Sequence, residues 1–599
     1  MKKFTLIPIL ASAFLTLSGA SALSAQEAKV KRADTLRREL TVMTEDEVTL
    51  GTRQPRDLSF VVPVPSVTAV RHAYLDTPIP FTLRPGVAPL GALAAPRGGF
   101  ERSQQRGYVY LSGGLSFGMK AGAGLRLVSS KTDSWDIFGR YLWTRSDIKV
   151  TPAASQKARE DAWLLGTSYQ HHFDEATLGL KLTAGQHAYN YYGLGLTRPL
   201  LGVPLGSIVP GPELRRRSTL VSFAARYATE EDFTEDWLYE FGAKVDYTSS
   251  SSIQEANTTL ASPREWLPEL SADLSYRLGS TSRLGAMGAW SLGSLSSTVP
   301  FLYGFPEKRS SSTRMILTGV PYFLTEDVSG DLGWRALAGL RVLTGNDHHN
   351  AHLFLFPKID AKLRVGSAFD LRLETDAQLL RHTLHRIADE APYLDHEAFV
   401  GRYERLYDAK LSLGGTIGGA FSIEAFGRYA DHKGAVEFRP VPLLHPDGMP
   451  ATASYMMPIT FRPYYVDYRE QNLGLELAYN HRGLFTASLR GVYARYQTAQ
   501  QFLARPSFTL ESLVELHLLP ELRLRAGYDF ATAIKSYDPE GEIVPLSQLH
   551  HLHADAVYSL TKKLSLTAEL RTPLSVRETR WYGYLPQPML LQAGLQLTF

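Results

Sequence analysis

Leu591-Gln592-Ala593-Gly594-Leu595-Gln596-Leu597-Thr598-Phe599 ends the sequence in strict alternation. Leu591, Ala593, Leu595, Leu597 and Phe599 are apolar, while Gln592, Gly594, Gln596 and Thr598 are small or polar. A strand turns successive side chains to opposite faces, so this stretch has one greasy face and one wet face. A sheet in a soluble protein shows the same alternation. Two further features separate the cases: the pattern recurs for hundreds of residues, and the sequence opens with an export signal. Strands of about ten residues, apolar outside and polar inside, are how a closed β-barrel crosses a lipid bilayer.

The recurrence begins near Arg106. Phe369, Leu371, Leu373, Thr375, Ala377 and Leu379 alternate with Asp370, Arg372, Glu374, Asp376 and Gln378. Leu522, Leu524, Ala526, Tyr528 and Phe530 alternate with Arg523, Arg525, Gly527 and Asp529, and Leu564, Leu566, Ala568 and Leu570 with Ser565, Thr567 and Glu569. Charged residues on the wet face suit a water-filled wall on which opposite charges pair across and along strands.

Composition narrows the class. Of 599 residues 44% are hydrophobic and 21% charged, and the formal net charge is +3. Helical spans need runs of about twenty apolar residues, and none follows the first turns of the sequence. A nearly neutral balance gives no footprint for nucleic acid. Thirty Tyr and 27 Phe suit aromatic girdles at two bilayer interfaces, and equally the core of a soluble sandwich. The absence of cysteine removes disulfides, thiolate metal sites, cysteine nucleophiles and a lipid-modified cysteine. An exported sheet without disulfides gains from having no edge strand, and closure into a barrel provides that.

Residues 1–25 read as a signal peptide: Lys2 and Lys3, an apolar run around Leu6 to Leu17, then Ala20-Ser21-Ala22 as a cleavage site, with Ala25 as a second candidate. Residues 26–105 are unlike the rest. Pro55, Pro63, Pro65, Pro78, Pro80, Pro85, Pro89 and Pro96 deny this stretch the N–H groups of a central strand. An extended, polyproline-like segment is expected there, periplasmic or threaded into a pore. It is short for a folded plug domain.

From 106 to 599 short and long connections alternate. Phe173-Asp174-Glu175, Leu278-Gly279-Ser280, Gly366-Ser367, Gly418-Gly419, His481-Arg482-Gly483, Leu519-Pro520 and Lys562-Lys563 are short. The long ones fall near 190–215, 250–265, 295–311, 382–401, 431–465, 497–509, 534–549 and 573–589. Short periplasmic turns and longer extracellular loops are the asymmetry of bacterial outer-membrane barrels. The fold predicted is all-β: a transmembrane antiparallel barrel of about 22 strands, the first at Arg106–Phe117 and the last at Leu590–Phe599. Gly434–Leu444 is the place where a strand is easily miscounted, because it reads as a hairpin standing above the membrane.

The final strand, with Leu591, Leu595, Leu597 and the terminal Phe599, resembles the signal by which such barrels are recognised for insertion by the barrel assembly machinery. The sequence more widely resembles the plug-less, TonB-dependent-receptor-like outer-membrane barrels of Bacteroidota. The likeness covers Leu40–Pro89, the strands of Leu111–Trp143, and His187-Ala188-Tyr189-Asn190-Tyr191-Tyr192-Gly193. It continues through Pro392-Tyr393-Leu394 and Trp581-Tyr582-Gly583-Tyr584-Leu585-Pro586 to Phe599. It implies a barrel in the cell outer membrane, embedded in its lipids and similar to energised receptors, with the missing plug setting it apart.

Candidate sites are few. Glu39-Leu40-Thr41-Val42-Met43 looks like a segment that pairs with TonB as an added strand, with Leu40, Thr41 and Val42 as its contacts. An ordinary strand or helix turn is the plainer reading. Histidines cluster at His348, His349 and His352, at His382, His385 and His396 with Glu397, and at His550, His551 and His553. His382 and His385 are spaced for one helical turn; His550 and His553 point to opposite faces of a strand. No metal site, cofactor or catalytic residue is assigned, and no enzyme is expected. Transport, either as a channel or by TonB-coupled uptake, is the leading function. The alternative is a structural barrel that scaffolds surface lipoproteins or an assembly complex, with Tyr455-Met456-Met457 in the 434–465 loop as its contact surface.

Overall fold

The computed structural model describes residues 106–599 except 116–117, 150–154, 194–208, 211–213, 230–235, 255–257, 300–307, 328–331, 348–349, 367–368, 392, 396–402, 419, 442–454, 457–458, 482–483, 501, 539–540, 575–579 and 586–588. The signal peptide of 1–25, the Pro-rich segment of 26–105 and the Leu40, Thr41 and Val42 contacts lie outside the described residues.

Among the described residues 22 strands form a closed antiparallel ring, as the sequence predicts. Each strand pairs with its successor, from Gly107–Leu115 to Leu590–Thr598. The first and last strands then pair with each other, Tyr108 opposite Thr598 and Leu115 opposite Leu591. The seam is tied at its foot. Arg106 N and Gly107 N donate to Phe599 O at 2.6 and 2.9 Å, and Phe599 N donates to Gly107 O at 2.9 Å. One more short strand, Thr258–Ala261, pairs with Trp237–Gln254 outside the ring. Among the described residues no helix is long and apolar enough to cross a membrane.

The faces follow the alternation. Leu595 and Leu597 are 52% and 45% exposed on the outside, whereas Gln592 on the inner face is 1% exposed. Leu111, Leu165, Leu355, Leu371, Leu413 and Leu473, spread around the ring, also face out and are exposed. Each such side chain gains on the order of 2 kcal/mol by leaving water, so an exterior of this kind suits lipid. Aromatic residues mark both ends of it: Trp237 against Tyr276 near the turns (5.1 Å between ring centroids) and Trp266 against Tyr247 near the loops (4.6 Å).

Inside, charges pair across and along the sheet. Between neighbouring strands Arg525 donates to Asp555 at 2.8 Å, Arg428 to Asp408 at 2.8 Å and Arg490 to Glu476 at 3.0 Å, and over the seam Lys120 reaches Glu569 at 2.7 Å.

The predicted short turns all lie at one end of the barrel, together with Gly107 and Phe599. The loop end departs from the expected pattern in two ways. Connections at 116–117, 150–154 and 348–349 are short although they belong to that end. Strands there also reach further than predicted. Phe421–Val441 and Thr460–His481 are 21 and 22 residues long, with a register shift between His432 and Ala435. Most of the Gly434–Leu444 stretch is therefore the upper part of the first of these strands. Twenty-two tilted residues span roughly 55 Å, about 25 Å more than the hydrocarbon of a bilayer. The strands flanking the seam, Leu564–Pro573, Leu590–Thr598 and Gly107–Leu115, have only 10, 9 and 9 residues. The barrel has one tall wall and one low wall.

Candidate functional site

A ring of 22 strands spaced about 4.8 Å apart and tilted near 40° is roughly 40 Å across. Side chains of opposite walls cannot meet over such a lumen unless loops carry them inward. At the loop end they do meet. Tyr191 and Tyr192 close the fifth strand of the ring, Ala176–Tyr191, while Tyr393 lies between the thirteenth and fourteenth, Phe369–Arg381 and Tyr403–Ile417. Trp581 and Tyr584 come from the connection between the last two strands. These residues, with Leu214, Ile459, Phe461 and Leu546, form one buried cluster.

The contacts inside the cluster are specific. The rings of Tyr393 and Tyr584 stack with centroids 3.5 Å apart and planes 15° from parallel. Tyr192 meets both edge-on, at 5.8 and 5.2 Å. Tyr393 Oη donates to Tyr192 Oη at 3.2 Å, and Tyr192 Oη to the Leu585 carbonyl at 3.1 Å. Tyr191 Oη donates to the Leu394 carbonyl at 2.7 Å, and Tyr584 Oη to the Ile459 carbonyl. Backbone bonds join the same segments: Ile459 N to Gly193 O at 2.9 Å and Phe461 N to Tyr393 O at 2.8 Å. Burial pushes the Tyr192, Tyr393 and Tyr584 hydroxyls above the ordinary phenol value, so each remains a donor.

Two glycines make the approach geometrically possible. A Cβ on Gly193 would stand 2.2 Å from the Tyr584 ring. Gly583 has φ +82°, a left-handed conformation that an L side chain resists, and its Cβ would stand 2.5 Å from Ile459 Cδ1.

The segment from His382 to Asp395 is what crosses the lumen. It contains the short helix Leu384–Glu390, capped by Thr383, whose Oγ1 accepts from Arg386 N at 3.1 Å. Glu265 on another strand accepts from Leu384 N at 2.6 Å, which satisfies one of the helix's free N–H groups. Leu384, Ile387 and Leu394 are buried against Leu295 and Val436. His382 reaches the Gly434 carbonyl at 2.8 Å through Nε2. The far end is held by Asp395, which pairs with Arg462 and whose N–H donates to Phe461 O at 2.7 Å.

Beside this strap, on the tall wall, His432 lies between Glu404 and Glu470 and stacks on Tyr468 at 4.2 Å. Arg505 lies over the Tyr468 ring, its guanidinium 4.9 Å from the centroid.

No protein-family model matches the sequence, and no curated protein matches it. Solved structures do. A mutant of the ferric enterobactin receptor of Pseudomonas aeruginosa, in complex with enterobactin, aligns over 83% of this chain and 81% of its own, with 15% identity and a TM-score of 0.58. The siderophore receptor PirA of Acinetobacter baumannii aligns over 83% and 80%, with 10% identity and a TM-score of 0.59. The copper transporter OprC gives 83% and 82%, 10% and 0.57. At these identities the likeness is one of fold: a large closed barrel.

The residues singled out in the sequence fare differently. Leu591, Leu595 and Leu597 are on the last strand and Phe599 follows it, and all four are exposed on the outside. His382 and His385 do not converge: His382 precedes the helix and turns to Gly434, while His385 faces Asp389 at 3.4 Å. His348, His349, His396 and Glu397 lie outside the described residues, and His352 sits beside Phe354. His550 is bonded to Tyr528 Oη at 2.8 Å and His553 lies 3.7 Å from Asp529 across the sheet. Among the described residues no three His, Cys, Asp or Glu side chains are grouped to hold a metal ion. Tyr455–Met456 pairs in parallel with Val209–Pro210, and Met457 lies outside the described residues. The three tyrosine-bearing stretches, by contrast, meet as one site. Sequence reading gave no reason to join them; the glycine next to a tyrosine pair, in Tyr191-Tyr192-Gly193 and Gly583-Tyr584, was the available signal.

Proposed function

We propose that the protein is an uptake barrel of the Gram-negative outer membrane whose extracellular mouth is shut by its own loops. The observation that carries this reading is the cluster of Tyr192, Tyr393 and Tyr584, which joins loops from different sides of the ring across the lumen. The outward aliphatic surface supports a membrane location, and the solved receptors and copper transporter of like fold support transport.

In this reading residues 1–25 are removed on export. Residues 26–105 hang on the periplasmic side as an irregular segment without a folded plug, and Leu40, Thr41 and Val42 present a strand to TonB. The terminal strand with Phe599 addresses the barrel assembly machinery, and the sequence likeness to Bacteroidota barrels supports an origin in that group. A solute arriving from outside must separate the loops before it can pass. The scaffold reading keeps one point in its favour: the tall wall of Phe421–Val441 and Thr460–His481 offers a face on which a surface lipoprotein could sit.

Planar-bilayer recording tests the proposal. Deleting residues 26–105 alone should leave the barrel silent, because the mouth remains shut. Weakening the tyrosine cluster alone should produce conductance. A mature protein recovered as a soluble periplasmic species would end the reading at its root.

A further inference from the structure

The wall of the barrel parts at one place. In ring order, the eleventh and twelfth strands, Leu332–Asp347 and Asn350–Val365, pair up to their loop ends, and so do the thirteenth and fourteenth, Phe369–Arg381 and Tyr403–Ile417. The ladder between the twelfth and thirteenth is shorter. It runs from Val365–Phe369 to Ile359–Thr375 and stops, so Asn350–Lys358 and Asp376–Arg381 are not paired with each other.

A proline accounts for the break. Carried upward, the register sets Pro357 opposite Ala377, and Pro357 has no N–H to give it. The Pro357 carbonyl accepts from Thr375 Oγ1 at 3.3 Å instead, and Ala377 N donates to the adjoining Asp376 carboxylate at 2.8 Å. The proline nitrogen must face away from the eleventh strand, so alternation turns the N–H and C=O groups of Leu353 and Leu355 to the same free edge. Among the described residues no turn or loop bond takes them up.

Above the break the thirteenth strand leans into the lumen. Ala377 is buried, and a Cβ on Gly345 of the eleventh strand would stand 3.2 Å from Leu379 Cδ1. Arg381 Nη2 donates to the Ser291 carbonyl at 3.3 Å on the ninth strand, Ser282–Val299. The fourteenth strand follows: Tyr407 stacks on Phe356 with centroids 5.6 Å apart, and the Arg405 guanidinium lies 4.8 Å from the Phe354 centroid. One two-stranded ribbon thus lies over the lumen-facing side of another, and the strap begins at His382, directly after Arg381.

We infer that this break is the hinge on which the mouth opens. Asp376–Arg381 leaves the inner wall and pairs with Asn350–Lys358, Leu379 coming opposite Leu355 and Arg381 opposite Leu353. The thirteenth and fourteenth strands swing out together and draw the strap from the lumen. The closed packing buries Ala377 and Leu379; the open one gains ladder hydrogen bonds above Pro357. Two discrete packings of one segment are what a gate needs. The inference rests on the uptake reading in taking the strap as the closure.

A disulfide tests the motion. The protein has no cysteine, so Leu355→Cys with Leu379→Cys gives one defined pair. Paired in register, the two positions have Cα atoms about 5.5 Å apart, within disulfide range. With the mouth shut, Leu355 faces outward while Leu379 lies against the inner side of the wall. In the full-length barrel in detergent micelles, adding Tyr584→Ala should speed oxidation of the pair about tenfold or more. Oxidised during refolding, before the loops close, the double variant should conduct in planar bilayers and fall silent on reduction. In the unaltered protein the Leu353 and Leu355 amides should exchange faster than those of Phe354 and Phe356, which bond to the eleventh strand. Each variant is checked for folded-barrel mobility on an unheated gel. A silent crosslinked barrel, equal protection of the four amides, or an unchanged oxidation rate in a Tyr584→Ala barrel that does conduct would overturn the inference. Failure of the uptake reading looks different: Tyr584→Ala and Tyr393→Ala stay silent while the crosslinked barrel still conducts.

Discussion

Tyr393 and Tyr584 lie face to face, 3.5 Å between ring centroids, although their loops spring from different sides of a ring of 22 strands. The pair has no counterpart in local structure. It exists because Gly193 leaves room for the Tyr584 ring and because Tyr192 ties both partners through its own hydroxyl and ring.

Removing either ring should open the mouth. Replacing a buried aromatic residue by alanine costs about 3–5 kcal/mol where the surroundings cannot collapse. Tyr584→Ala and Tyr393→Ala are therefore expected to raise open-channel activity in planar bilayers well above the parent. Tyr584→Phe keeps the stack and loses only the bond to Ile459, worth about 1 kcal/mol, and should stay shut. Silence in both alanine variants would contradict the assigned closure.

The complementary experiment locks the mouth. Leu394 and Phe461 are partners in an isolated parallel bridge between the strap and the tall wall. Paired strands lie about 4.8 Å apart, within the Cα separation a disulfide spans. The protein has no cysteine of its own, so Leu394→Cys with Phe461→Cys gives one defined crosslink. The oxidised double variant should be closed, and reduction should restore activity in the same recording. Conductance that ignores reduction would show that this strap is not what moves.

The fold was legible in the sequence because a barrel wall is a local code. Leu591 to Phe599 declares which residues face lipid and which face the lumen, and repetition of that code supplies the strand count. The low turns were legible too, at Gly366, Gly418 and Leu519-Pro520. Strand height was not. Phe421–Val441 continues past the membrane where alternation is interrupted at His432–Ala435, so polar and proline residues there read as loop. The mouth was illegible for a different reason: Tyr192, Tyr393 and Tyr584 meet only after the ring has closed, and no spacing within one segment encodes contacts between segments hundreds of residues apart. The spacing of His382 and His385 suits one helical turn, but the helix begins after His382 rather than at it.

On the lumen wall the Lys120–Glu569 pair, 2.7 Å apart and largely buried, should couple measurably. Arg571 also pairs with Glu569, so loss of the lysine does not leave the carboxylate alone. A double-mutant cycle with Lys120→Met and Glu569→Gln is expected to return about 0.5–3 kcal/mol of coupling in urea unfolding. A coupling within error of zero would place both side chains in water.

Phe599 contributes to the seam in two separable ways. Its backbone bonds Arg106 and Gly107, and its side chain faces outward. Deleting the residue should lower the amount of folded barrel in the membrane fraction more than Phe599→Ala does, because the deletion also removes the closing hydrogen bonds. Equal losses would assign the whole effect to the side chain as an assembly signal.

The strap should loosen in acid, and His382 is the reason. Its Nε2–H donates to the Gly434 carbonyl, which leaves Nδ1 unprotonated, buried and without a hydrogen-bond partner. Burial holds its pKa below the ordinary histidine value; the Gly434 bond, Glu404 and Glu390 favour the proton and Arg386 opposes it, but burial prevails. A histidine whose folded pKa lies below its unfolded one binds more protons when released. The stability it confers is therefore complete above about pH 6.5 and declines as pH falls from there towards the folded value. The hydrogen-exchange protection factors of the Leu384–Glu390 amides, relative to the intrinsic rate at each pH, should fall over that range, while those of the barrel strands hold. His382→Gln, which cannot charge, should show lower protection at neutral pH and little further change on acidification. An unaltered acid response in that variant would assign the sensitivity to the neighbouring carboxylates instead.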